Sequence, residues 1–101
     1  MYALPDTTIQ KLQKLFSKYP QIHEVILFGS RAKGEAKKGS DIDLALKGEN
    51  VTFDLLREIE VKIDDLDIPY RIDLIDYNTI ENEALKKHID TVGITFKTPT
   101  S

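Results

Sequence analysis

The sequence predicts a small α/β protein, an α+β arrangement in which helices flank one mixed β-sheet. Three observations carry that expectation. Stretches with helical apolar spacing take turns with short β-rich stretches along the whole chain. One of those stretches, Val25-Ile26-Leu27-Phe28, is apolar on both sides and suits a central strand covered on two faces. Two others repeat the tripeptide Ile-Asp-Leu, at Ile42-Asp43-Leu44 and Ile72-Asp73-Leu74, in strict period-two alternation. With 101 residues there is room for one core, and residues 1–101 are expected to form a single domain with a frayed tail at 97–101.

The elements follow in order. Asp6-Thr7-Thr8 supplies capping residues before Ile9, Leu12, Leu15 and Phe16, which share one helix face, and Tyr19-Pro20 closes that helix. Ile22 to Phe28 is the first strand, stopped by Gly29-Ser30, and a short helix from Ser30 to Gly34 is expected next. A polar loop, Glu35 to Ser40, precedes the strand from Asp41 to Leu46. There Ile42, Leu44 and Leu46 point one way and Asp41, Asp43 and Ala45 the other. Thr52 to Leu66 is a helix whose stripe is Phe53, Leu56, Ile59, Ile63 and Leu66, with Glu58 and Lys62 set as an i,i+4 pair.

Tyr70 to Ile75 returns to period two, placing Ile72 and Leu74 on one face and Arg71, Asp73 and Ile75 on the other. Thr79 is expected to cap a last helix carrying Ala84, Leu85, His88, Ile89 and Val92. Gly93 stops it, and Ile94 to Phe96 adds an edge strand.

Composition excludes several function classes. There are no cysteines, so disulfide frameworks, thiolate metal sites and cysteine nucleophiles are absent. The longest apolar run is far too short to span a bilayer, and no charged-then-apolar leader opens the chain, so a cytoplasmic protein without membrane contact is expected. Fourteen basic residues against 17 acidic ones give a net charge of −3, which argues against stable binding of long nucleic acid. No Gly-x-x-x-x-Gly-Lys run and no Gly-x-Ser-x-Gly elbow is present.

Chemistry concentrates in three features. Gly29-Ser30-Arg31 ends a buried strand sharply, and glycine lets a ligand approach the main chain. Free N–H groups there, with the Ser30 hydroxyl, form a phosphate cradle, although the turn alone equally fits an ordinary serine-capped strand-to-helix junction. Asp41 and Asp43 project from one strand face, where unpaired like charges repel and a hard cation such as Mg²⁺ would relieve them. Asp73 has the same face pattern. If its strand pairs with theirs, three carboxylates form a two-metal site suited to in-line displacement. Arg71 either offsets part of that charge or makes a rim salt bridge.

Arg31, Lys33, Lys37 and Lys38, against a single Glu35, make a local positive flap suited to a polyphosphate. His23 and His88 read as ordinary surface or helix-end residues and are given no catalytic part.

Gly29-Ser30, Asp41-x-Asp43 eleven residues after the serine, and a later strand aspartate, Asp73, together resemble the signature of the DNA polymerase β-like nucleotidyltransferases. Leu27 to Gly34 and Ser40 to Leu44 are similar, more narrowly, to the minimal nucleotidyltransferases, short proteins that accompany HEPN-domain partners as antitoxins. One departure is Lys33, where the commoner residue is arginine, which exchanges a bidentate fork for a point charge.

The resemblance implies that Asp41 and Asp43 bridge two Mg²⁺ ions and that Asp73 completes the second metal site and helps deprotonate the acceptor. It implies that Gly29 and Ser30 hold the triphosphate of ATP or another nucleoside triphosphate, with Arg31 or Lys33 nearby. A nucleoside monophosphate, AMP above all, is then transferred to a hydroxyl. Larger members carry an acceptor-binding domain, so here a helical HEPN-like partner is expected to supply the acceptor, docking on the first or last helix. Two further readings stand beside this one. The first is a non-catalytic, nucleotide-binding antitoxin that occludes its partner. The second is the catalytic subunit of a two-subunit transferase for a small hydroxylated molecule.

Overall fold

The apolar run expected at the centre of the sheet lies there in the computed structural model, which describes residues 5–29 and 42–97. Strand β1 (Ile22–Phe28) sits inside a four-stranded sheet, flanked by β2 (Ile42–Gly48) on one side and β4 (Ile94–Lys97) on the other. Strand β3 (Ile72–Asp76) lies outside β2, giving the order β3-β2-β1-β4. β1 pairs antiparallel with both its neighbours, whereas β2 and β3 run parallel. The sheet is therefore mixed, as the sequence predicts. β4 reaches Lys97, one residue into the stretch expected to be a frayed tail, and pairs it with Val25.

Period-two alternation sends each strand's side chains to two separate cores. On one face Val25, Leu27, Ile42, Leu44 and Leu46 pack with Ile72 and Leu74 beneath two helices, α1 (Asp6–Phe16) and α2 (Phe53–Asp64). Leu12 and Phe16 of α1 and Ile59 of α2 are completely buried there. On the opposite face Ile26, Phe28 and Ala45 pack against Ile89 of α3 (Glu83–Val92), with Ile75, Tyr77, Ile80 and Leu85 around them. Parallel strands need a crossover, and α2 provides it between β2 and β3.

Several local details differ from the sequence reading, each for a physical reason. Helix α1 starts at Asp6 after Pro5, without a side-chain cap. The Pro5 carbonyl accepts from the Thr8 and Ile9 N–H groups, and Thr8 is buried. Thr79 does not cap the last helix. Asp76 accepts from the Asn78 N–H and nucleates a single 3-10 turn, Tyr77–Thr79, after which Ile80 is extended. Asn82 is the true cap, its Oδ1 accepting from the Leu85 N–H at 3.1 Å. The last helix thus begins three residues later than its capping pattern suggested.

Phe53 leaves the expected stripe of α2 and is 70% exposed, with the Arg57 guanidinium 5.5 Å from its ring centroid. Val61 is exposed as well. Among the described residues the large exposed apolar side chains therefore lie on α2, whereas the sequence reading placed a docking face on the first or last helix. Glu58, expected to pair with Lys62, accepts from the Tyr19 hydroxyl, and burial together with that bond raises the Tyr19 pKa above its usual value. Among the described residues no helix is long and apolar enough to cross a membrane.

Candidate active site

Antiparallel pairing brings the C-terminal end of β1 alongside the N-terminal starts of β2 and β3. Phe28 is paired with Asp43, and Asp43 in turn with Asp73. These three side chains therefore stand in a row on the face that α3 covers, at one end of the sheet. Gly29 follows Phe28 immediately, so the turn lies beside the carboxylate row. The site is a product of register. A one-residue slip of β2 would carry Asp43 to the opposite face.

Gly29 has φ +79°, a conformation in which a Cβ is strained. Space forbids a Cβ too, since it would fall 2.5 Å from Oδ2 of Asp43. Turn and carboxylate are thus in near contact. The Gly29 N–H donates to Nε2 of His88 at 3.3 Å, and the imidazole packs edge-on to the Phe28 ring with centroids 6.3 Å apart.

Asp43 and Asp73 are both half-buried and occupy adjacent strands, which lie roughly 4.8 Å apart. Like charges set directly opposite each other are destabilising without a counter-charge. Arg71 supplies part of one, its Nε lying 3.7 Å from Oδ1 of Asp73. Both partners are substantially exposed, so the pair contributes at most about 1 kcal/mol. Two carboxylates abreast on a half-buried face form a hard-oxygen donor set of the kind Mg²⁺ prefers. Among the described residues no group of three or more metal-ligating side chains assembles. Asp41, the expected third carboxylate, lies outside the described residues, as do Ser30, Arg31 and Lys33.

A cleft of about 340 Å³ opens between the end of α2 and the start of β3, with Asp73 and Arg71 on its wall. Glu60, Asp64 and Asp67 also line it, a charge set that repels a polyphosphate.

His88 is the residue that sequence reasoning passed over at this site. One signal pointed to it: a polar side chain on the apolar stripe of the last helix, next to Ile89, which is fully buried.

A mixed sheet that aligns a glycine turn with paired strand aspartates, helices on both faces, defines a nucleotidyltransferase palm. The chain belongs to the family described as Polymerase beta, Nucleotidyltransferase, whose model matches residues 10–98. It is 40% identical over 73 residues to the probable protein adenylyltransferase MntA of Haemophilus influenzae, a match covering 71% of this chain and 60% of that protein. The chain therefore spans less than two thirds of that relative's length. Among solved structures it resembles a chain of a toxin–antitoxin complex with AMP-PNP, with a TM-score of 0.72 and 26% identity over 89% of this chain and 73% of the other. The same fold occurs in a complex of a tri-AMPylated Shewanella oneidensis HEPN toxin with its MNT antitoxin. That match has a TM-score of 0.68 and 23% identity, covering 94% of this chain and 74% of the other.

Proposed function

We propose that this chain acts as a single-domain, Mg²⁺-dependent protein adenylyltransferase. It moves AMP from ATP to a hydroxyl of a helical HEPN-like partner and so serves as the antitoxin of a toxin–antitoxin pair. The observation that carries the reading is the register that sets Asp43 and Asp73 abreast, beside the Gly29 turn. The named activity of the Haemophilus relative and the AMP-PNP in the similar complex support the choice of nucleotide and of chemistry.

In this reading Gly29 and Ser30 hold the triphosphate tail, the glycine by letting it approach the main chain closely and Ser30 through its hydroxyl, with Arg31 or Lys33 neutralising its charge. Asp41 and Asp43 would hold the cations, and Asp73 would complete the site on the acceptor side. Bound Mg²⁺ would supply charge neutralisation on the phosphates and acidify the acceptor hydroxyl. Asp73 takes up the hydroxyl proton. The acceptor oxygen then forms a bond to the α-phosphorus as the bond to the β-phosphate oxygen breaks and pyrophosphate departs. Positioning and charge neutralisation account for most of the acceleration.

The test is transfer of label from α-labelled ATP with Mg²⁺, using the protein purified with whatever chain accompanies it and recording the intact mass of every chain. A metal-dependent gain of AMP on the companion, absent in a D41N/D43N double variant, is expected. A confirmed companion that gains no mass with any of the four nucleotides would transfer the assignment to a binder that merely occludes.

A further inference from the structure

We propose that His88 is a positioning residue for the nucleotide turn: its Nε2 accepts the Gly29 N–H and so fixes the backbone at the point where the chain leaves the sheet. The inference rests on the reading of Gly29 as part of the triphosphate cradle.

Three observations converge on it. The ladder between β1 and β2 ends at Phe28 and that between β1 and β4 at Leu27, so Gly29 lies past the end of both. Its N–H goes to a side chain 59 residues away, on the helix that covers the site face. The acceptor is itself held. His88 is half-buried, its ring packs edge-on to Phe28, and Ile89 beside it is 1% exposed in the core under α3. Glycine at φ +79° has no side chain to restrict it, and an unanchored glycine samples many conformations. A hydrogen bond from a fixed imidazole narrows that range before the nucleotide arrives, which is how pre-organisation strengthens binding. Because Nε2 is the acceptor, the neutral ring carries its proton on Nδ1.

Two substitutions separate this role from packing. H88F keeps a flat ring against Phe28 but offers no acceptor, whereas H88Q loses the ring and retains a carbonyl of similar reach. The Michaelis constant for ATP and kcat would be measured for both with the partner present. Thermal melts, the affinity for AMP-PNP of the chain alone and hydrogen exchange at the Gly29 amide would accompany them. H88F is expected to raise the Michaelis constant and weaken AMP-PNP binding about three- to tenfold, the scale of one hydrogen bond, with kcat changed less. Its Gly29 amide exchanges faster, and H88Q restores both properties towards the parent. Equal behaviour of H88F and H88Q, or unchanged amide exchange in H88F, would overturn the proposal. If the parent binds no nucleotide, the cradle reading fails and the functional part of the inference falls with it. If the parent binds and transfers while H88F matches it, the positioning role alone is lost.

Discussion

A Cβ at Gly29 would lie 2.5 Å from Oδ2 of Asp43, so the turn after β1 and the first described carboxylate of β2 are built to one another's dimensions. The G29A variant therefore meets two obstacles: a left-handed backbone at φ +79° and a displaced aspartate. The backbone term is expected to cost about 1–2 kcal/mol of stability. A displacement of Asp43 of even 1 Å would lower transfer roughly 100-fold. Thermal melts and steady-state kinetics on one preparation check both, and activity should fall far more than the folded fraction does.

In the proposed mechanism Asp73 serves the acceptor, and replacing it with asparagine removes that charge while leaving the Gly29 turn intact. Transfer is expected to fall about 100- to 10,000-fold, the range associated with losing a positioned general base. Nucleotide binding should be partly kept. Stability should move by less than about 1 kcal/mol, because losing the exposed Arg71 pair is offset by relief of the Asp43–Asp73 repulsion. Equal transfer by D73N and the parent, measured with the same partner, would remove Asp73 from the assigned set.

Much of this arrangement is legible in the sequence because strand alternation is a strong local signal. The shared Ile-Asp-Leu tripeptides place Asp43 and Asp73 on one face, and the parallel register pairs them directly. What could not be read depends on contacts distant in sequence or on competition between caps. Periodicity assigns Phe53 to the inner side of α2, but it does not show how far the core extends: Leu55 and Leu56 pack against it while Phe53 stays outside. Asp76 captures the turn that Thr79 was expected to begin. His88 meets Gly29 across 59 residues, a contact that no local pattern encodes.

The competition between the two caps can be measured. N82A removes the oxygen that accepts from Leu85, and about 1 kcal/mol of stability should be lost. T79A removes only an exposed bond from Oγ1 to the Asp76 carbonyl, so its cost should be about 0.5 kcal/mol or less. Denaturant midpoints for the two variants give the comparison. A larger loss in T79A would restore the earlier helix start.

The Tyr19 phenol tests the α1–α2 face without touching the site. Its pKa is raised by burial and then by its bond to Glu58, both of which favour the neutral form in the folded chain. A group whose folded pKa exceeds its unfolded value contributes stability that is complete below the unfolded pKa, near 10 for tyrosine. That contribution disappears as pH rises through the folded value. Tyr77, raised chiefly by its bond to Asp90, titrates in the same direction, so the total alkaline loss has more than one source. The difference between the parent and Y19F isolates Tyr19. Y19F should be less stable at pH 8 by about 1 kcal/mol, the usual worth of a lost hydrogen bond. The gap should close between pH 10 and the folded pKa, as the parent's advantage is titrated away. Melting curves from pH 8 upwards record this directly, and a gap that stays constant with pH would show that ionisation of Tyr19 has no part in the alkaline loss.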